Sequence, residues 1–181
     1  ALYLVVYTLV LVPAGRLADE WGRLRVWRIG AAIFVAASLA SGLAHGSVML
    51  LISRAFQGVG GAILASTAAA LITAVYPPQH RGRAIGINVT ILYLGLATGP
   101  LIGGLIAQHL GWRWIFLVNI PVGLAALAIS ADLQEERLHR GRPRLDLPGT
   151  ALLGAGLALT MVALTFGPLW GWTSGRVLAL G

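Results

Sequence analysis

"GRLADEWGRLR", residues 15–25, places five charged side chains in eleven positions of a 181-residue chain in which charged residues make up only 10%. Apolar runs flank it, residues 1–14 before and 29–44 after. A soluble domain carries roughly 25% charged residues, whereas this chain is 57% hydrophobic with a mean hydropathy of +0.83. Charge held between two oily runs predicts a loop, residues 15–28, that joins two membrane spans, with the first span ending at Pro13 and Gly15. The alternation continues: further apolar runs occupy 48–76, 84–108, 114–131 and 147–168. Most reach the roughly 17–25 residues that cross a bilayer as helix. The expected fold is therefore all-α, a polytopic transmembrane helical bundle of six spans with the first one shortened. The first residue is Ala1, already inside an apolar run, and another run begins at Val177, so the chain reads as a piece of a longer one. A signal peptide fits the first run poorly, since it has no basic leader or cleavage motif and further spans follow.

A net charge of +7 and a pI near 11.3 ordinarily suggest nucleic acid or an anionic surface as partner. The placement of the charge argues against nucleic acid. All thirteen basic residues are arginine, and apart from Arg54 they lie at or between the ends of apolar runs. Assigning successive loops to alternate sides puts ten on one side (Arg16, Arg23, Arg25, Arg28, Arg81, Arg83, Arg137, Arg140, Arg142 and Arg144) and two on the other (Arg113 and Arg176). This is the positive-inside asymmetry, so the arginine-rich side is expected to be cytoplasmic. No basic face with interleaved stacking aromatics stands outside these loops. The six tryptophans (Trp21, Trp27, Trp112, Trp114, Trp170 and Trp172) fall at or just beyond the ends of the runs, where an amphipathic ring settles among headgroups. The chain has no cysteine, which removes disulfides and thiolate metal sites.

The breaks between runs carry their own signals. "AHGS" (44–47) is a short uncharged turn, and Pro77 and Pro78 in "YPPQHRGRA" stop the third run by removing a donor and restricting the residue before them. "HLGWRW" turns the chain between the fourth and fifth runs, and residues 132–146, "DLQEERLHRGRPRLD", form the longest polar segment. The expected organisation is a bundle over 1–131, a cytoplasmic linker over 132–146, and over 147–181 a further helix, an external loop and the start of another helix. Most of the 24 glycines lie inside the runs. Small residues there let backbones approach where lipid offers helices little hydrophobic drive to associate.

Two constellations within the runs carry chemistry. In "LISRAFQGVGGAILASTAAA", Arg54, Gln57, Gly58, Gly61 and Ala65 fall at i, i+3, i+4, i+7 and i+11, one helical stripe of polar and small residues. Arg54 begins about 9 Å of helical rise inside its run, so snorkelling is the bland alternative. Its sharing of a face with Gln57 and two glycines favours function, because intramembrane charge is costly. An arginine stays protonated and cannot carry a proton itself, but it can hold or tune a carboxylate that does. No acidic residue lies in the middle of any run. In "GLATGPLIGG", Gly95, Gly99 and Gly103 repeat every four residues beside Gly104, a groove for a neighbouring helix, and Pro100 is expected to bend the helix there. Tight packing with no moving part explains the same spacing. Nothing points to a cofactor: "GVGGAI" fails the dinucleotide pattern, and no phosphate-binding G-x-x-x-x-G-K-[ST] loop is present. His45, His80, His109 and His139 sit in different loops, which makes no metal site. No serine is placed with a histidine and a carboxylate as a nucleophile, so no enzyme is expected.

Three stretches together resemble the major facilitator superfamily of secondary transporters. "GRLADEWGRLR" is similar to its cytoplasmic signature G-x-L-x-D-x-x-G-R-x-R/K, matched at Gly15, Leu17, Asp19, Gly22, Arg23 and Arg25. Glu20 stands where the family more often has a basic residue. "LISRAFQGVGGA" resembles the proton-coupling motif of helix four, with Arg54, Gln57, Gly58 and Gly61 in register, and "GLATGPLIGG" resembles the antiporter motif G-x-x-x-G-P-x-x-G-G of helix five. "WRWIFLVNIPVG" (112–123) and "RLDLPG" (144–149) are similar to the fourteen-helix drug:proton antiporter branch. The resemblance implies helices two to seven and the start of eight, with helix one, its usual acidic residue and the second half of the transporter belonging to the remainder of the chain. It implies alternating access in which a hydrophobic or cationic small molecule leaves as protons enter. Asp19 and its neighbouring arginines would then latch the cytoplasmic side, Arg54 and Gln57 would serve proton coupling, and Gly99 and Pro100 would form a hinge seam. The membrane would be the bacterial cytoplasmic membrane. An uptake carrier of the same superfamily is the second reading, and a structural or enzymatic membrane bundle a distant third.

Overall fold

The computed structural model describes residues 2–133 and, beyond them, residues 149, 152, 154–156, 159, 160, 163 and 168 singly. The linker from residue 134 onward, and the division of 147–181 into a helix, a loop and a further helix start, lie outside the described residues apart from those few positions. Six helices make up the described part: α1 Leu2–Trp21, α2 Arg23–Gly42, α3 Ser47–Val75, α4 Pro78–His109, α5 Trp114–Leu117 and α6 Asn119–Ala131. No strand occurs among the described residues. Five stretches are long and apolar enough to cross a membrane, α5 and α6 counting together over Trp114–Ala131.

Helices α1, α2 and α4 extend beyond the apolar stretches that predicted them, and the loop expected over 15–28 is absent. Helix α1 passes through Pro13 and Gly15 to Trp21, and α2 begins two residues later. Polarity marks where the chain leaves the hydrocarbon, whereas helix needs only residues that tolerate the conformation. Alanine, leucine, arginine and glutamate, which make up seven of the ten residues 16–25, are among the best. The chain turns at Gly22 alone, at φ 100, a left-handed conformation that a side chain resists. Its N–H closes α1 onto Ala18 O (3.1 Å), and its carbonyl accepts the first α2 bond from Val26 N (3.0 Å). A similar economy operates at the next turn on that side. Helix α3 stops at Val75, and Pro78 opens α4, a position where proline's missing N–H costs nothing. Arg81 and Arg83 therefore belong to the start of a helix. The fifth span is interrupted at Val118 because Pro121 cannot donate to Leu117 four residues back.

Successive long helices alternate in direction, and α2 and α3 form the centre. Gly30 of α2 packs on Ile63 and Gly60 of α3. A Cβ on Gly60 would stand 2.7 Å from Phe34 N and 2.8 Å from Gly30 O, both backbone atoms. Helix α1 lies on another side of α3, where a Cβ on Gly58 would come within 2.8 Å of Tyr3 O. The buried apolar core, Ala14, Ala18, Val26 and Ile63, fills the angle between these three helices. Helix α6 packs against α2, with Gly123 meeting Val35, and Gly154 is buried beside α1, 3.4 Å from Leu9 O to a hypothetical methyl. Helix α4 stands apart, with none of its residues buried.

Packing by backbone approach makes a sharp prediction about glycine. Gly60→Ala forces a methyl into backbone that has no room to move, and should lower folding stability by about 1–3 kcal/mol. Gly86→Ala, which meets no atom of the described residues within 4 Å, should change it by no more than about 1 kcal/mol. Thermal unfolding of the two variants in detergent checks the contrast, and equal stabilities would refute the packing argument.

Candidate functional site

Arg54 sits two turns into α3, partly buried, at the end of the bundle away from the arginine-rich turns. Its Nη1 donates to Gln57 Oε1 at 2.6 Å, one turn along the same helix. The guanidinium carbon lies 4.4 Å from the centre of the Tyr3 ring of α1 and 5.5 Å from that of Phe116 of α5. Both are within cation–π range, an attraction that strengthens where water is excluded. The charge is thus drawn inward by an amide and two rings. Gln57, 2% exposed, carries the arrangement into α2: its Nε2 donates to Ser38 Oγ at 2.8 Å, and Ser38 donates in turn to Phe34 O at 2.7 Å. Beside it Ser41 donates to Ser53 Oγ (2.8 Å), which donates to Leu50 O (3.0 Å). Two buried serine–partner bridges therefore join α2 to α3 within one helical turn.

The stripe read from sequence divides among these neighbours. Gln57 and Gly58 are buried, Gly58 and Gly61 lie against Tyr3 of α1, and Ala65 is exposed. The face that meets α2 is offset from it and runs through Ser53, Gln57, Gly60, Ile63 and Thr67. Ser38, Ser41, Ser53, Gly30, Gly60, Tyr3 and Phe116 were not singled out by sequence reasoning. A usable signal existed for some of them: in "GAAIFVAASLASG", Gly30, Ser38 and Gly42 recur on one face at multiples of four. Nothing in the sequence pointed to the two rings, which reach Arg54 from helices 51 residues before it and 62 after it.

The charged motif lies at the other end of α3, roughly 24 Å from Arg54 at 1.5 Å per residue from Ala70. Arg23 Nε and Nη2 both donate to Asp19 Oδ1, at 3.1 and 2.9 Å, across the Gly22 turn. Its Nη1 donates to Ala70 O of α3 at 3.2 Å. Gly15 packs ordinarily on Ser66, 3.7 Å from a hypothetical methyl, and Arg25 is exposed. Arg28, which sequence reasoning treated as a topology signal alone, has a second role. Its Nη2 donates to Ser130 O, to Leu133 O at 3.0 Å and, more weakly, to Ala131 O at 3.4 Å, closing the end of α6. Arg81 Nε donates to Tyr76 O (3.0 Å) just past α3, and at the opposite face Arg113 Nη2 donates to Ala44 O (3.1 Å) just past α2. Arg28, Arg81 and Arg113 thus meet carbonyls at helix C-termini, where orphan acceptors and the negative end of the dipole favour a cation.

Gly95, Gly99, Gly103 and Gly104 form a seam along α4 that is open among the described residues: a methyl on any of them meets none of their atoms within 4 Å. Helix α4 runs unbroken through Pro100. Among the described residues no helix lies in that seam, and the structure does not bring it to Arg54 or to Asp19. No group of three metal-ligating side chains occurs among the described residues.

Apolar helices of alternating direction, packed through glycine, with arginines gathered at one end, define a multi-pass α-helical membrane protein. The Major Facilitator Superfamily profile matches residues 1–180, and the chain belongs to that transporter family. It is 35% identical over 177 residues to the tetracenomycin C resistance and export protein of Streptomyces glaucescens, covering 97% of this chain and 33% of that protein. It is 37% identical over 171 residues to the multidrug resistance protein Stp of Mycobacterium tuberculosis, covering 94% and 32%. A crystal structure of a D-xylose-proton symporter superposes with a TM-score of 0.62 at 15% identity, over 98% of this chain and 53% of that one, a likeness of fold. The chain spans about a third of the length of the curated relatives it matches.

The bonds of the charged motif predict unequal consequences. Asp19→Asn, which weakens an exposed pair within one turn, should change stability by less than about 1 kcal/mol. Arg23→Ala also strips the bond to Ala70 O and should cost more, about 1.5–3 kcal/mol. Thermal unfolding reads both, and a larger loss for Asp19→Asn than for Arg23→Ala would contradict the assigned bonding.

Proposed function

We propose that the full-length protein is a proton-coupled antiporter that exports drug-like or other small hydrophobic or cationic compounds by alternating access. The observation that carries the reading is Arg54: a permanent cation inside the span, held by Gln57 between two rings, in a chain with no acidic residue in the middle of any apolar run. A fixed cation favours the charged form of a carboxylate brought near it and so lowers its proton affinity. That carboxylate belongs to the remainder of the chain in this reading, and its protonation releases it from Arg54. Asp19, Arg23, Arg25 and the glycines Gly15 and Gly22 serve as the cytoplasmic latch. Gly95, Gly99, Pro100, Gly103 and Gly104 serve as the seam against which the remainder of the chain closes. Export is supported by relatives named for resistance and export, and the bacterial cytoplasmic membrane by the bacterial sources of those relatives.

The test is uptake of ethidium into inverted vesicles carrying the full-length protein, driven by an imposed proton gradient. Arg54→Ala should cut gradient-driven ethidium transport at least about tenfold, the scale of one pKa unit in a coupled carboxylate, while insertion persists. Transport retained in that variant would return Arg54 to snorkelling, and no transport by the unaltered protein would sink the exporter reading. Orientation has its own check in a cysteine-free background. Ser47→Cys should react with an impermeant maleimide from outside the cell and His80→Cys only after the cell is opened, because the arginine-rich ends are assigned to the cytoplasm. The reverse pattern would invert the topology.

A further inference from the structure

The Ser38 hydroxyl has a single proton, and Phe34 O, 2.7 Å away in the preceding turn, takes it. Towards α3 the hydroxyl therefore offers lone pairs only. Gln57, buried against it at 2.8 Å, must turn its NH₂ to Ser38, and this leaves its carbonyl oxygen facing Arg54. A side-chain amide has two orientations of nearly equal shape, and only the hydrogen bonds around it choose between them. In the opposite orientation the amide NH₂ would confront the guanidinium with donor against donor. We infer that Ser38 is a positioning residue for Arg54: by accepting from Gln57 it fixes the amide so that Oε1 binds and orients the guanidinium.

The inference extends the proton-coupling reading of Arg54 and rests on it. Three features of the site make Ser38 the controlling group. Ser38 is fully buried and Gln57 2% exposed, so water does not substitute for a lost partner at the amide. The α2–α3 crossing at Gly30 and Gly60 brings the two backbones together, so the serine is held at bonding distance. The neighbouring Ser41–Ser53 bridge at 2.8 Å keeps the helices in the same register when Ser38 is altered. Tyr3 and Phe116 confine the guanidinium from α1 and α5, but each presents a ring face to it, which attracts the cation without fixing its rotation. The directional bond to Arg54 comes from Gln57.

Four variants of the full-length protein in inverted vesicles test this, with ethidium as probe and two assays, proton-gradient-driven uptake and gradient-free ethidium exchange. Ser38→Ala removes the acceptor, whereas Ser38→Thr keeps a hydroxyl able to bond one turn back, and Ser38→Val has the shape of threonine without it. Ser38→Ala and Ser38→Val should each lower gradient-driven uptake about tenfold, the worth of one buried hydrogen bond, with exchange unchanged. Ser38→Thr should restore uptake to within about twofold of the unaltered protein, since the hydroxyl of threonine offers the same donor and acceptors. The fourth variant, Arg54→Ala, is the control for the reading beneath. Normal driven uptake in Ser38→Ala beside its loss in Arg54→Ala would overturn the positioning role and leave Arg54 as the coupling group. Driven uptake retained in Arg54→Ala would overturn both. Equal loss of driven uptake and exchange in Ser38→Ala and Ser38→Val, unrelieved by Ser38→Thr, would show Ser38 to be a packing residue and would overturn the inference.

Discussion

The close approach of α2 and α3 at Gly30 and Gly60 is the constraint on which the rest depends. Among lipid tails an apolar side chain gains little by facing another helix, so association rests on short-range packing and on hydrogen bonds between helices. At Gly60 the backbone of α2 comes so near that a single methyl would collide with Phe34 N and Gly30 O. This approach brings Ser38 to Gln57 and Ser41 to Ser53 at 2.8 Å. A wider crossing would take these partners from the Gln57 NH₂ and the Ser41 hydroxyl in a dry interface, at a cost of about 1–3 kcal/mol for each unpaired group. The same glycine that permits packing thus permits polarity, and through Gln57 that polarity reaches Arg54.

Arginine performs two tasks in this fold, and one placement satisfies both. Excess positive charge at one membrane face sets orientation. Alternating helix direction means that every second span ends at that face, presenting unpaired carbonyls and the negative end of its dipole. Arg23, Arg28 and Arg81 sit at that face and donate to carbonyls at or near the ends of α3 and α6. Arg113, at the opposite face, does the same for α2. Arg23 is further drawn to Asp19 across a turn of one residue. The turn is so short because Gly22 adopts a conformation closed to most residues, so α1 and α2 are joined stiffly at the position proposed as a latch.

Helix α4 contrasts with this centre. Its glycine seam is as regular as the interfaces at Gly58 and Gly60, yet among the described residues a methyl on any of its four glycines meets no neighbour. Relatives about three times as long as this chain make the remainder of the full-length protein the occupant in the proposed reading. The seam would then be a moving contact between halves, unlike the α2–α3 crossing, which binds one half together.

The apolar runs by themselves determined the all-helical, multi-pass class, the positions of the five described spans and the end of those spans at which arginine collects, because bilayer thickness and charge cost act on composition one segment at a time. They placed α3 almost to the residue (48–76 against Ser47–Val75). They misjudged residues 15–28, where polarity ended the membrane span but left the helices intact. Periodicity also picked out Arg54 and Gln57 as companions, since residues three apart share a face whatever surrounds them. It left open what stood opposite. The partners Ser38, Tyr3 and Phe116 come from three other helices, and the choice of Gly60 over Gly61 as the crossing point with α2 depends on a rotation of about 100° about the axis of α3. Only the packed bundle decided these, because a helix carries its own periodicity in its sequence but the angle at which it meets its neighbours is set by all of them together.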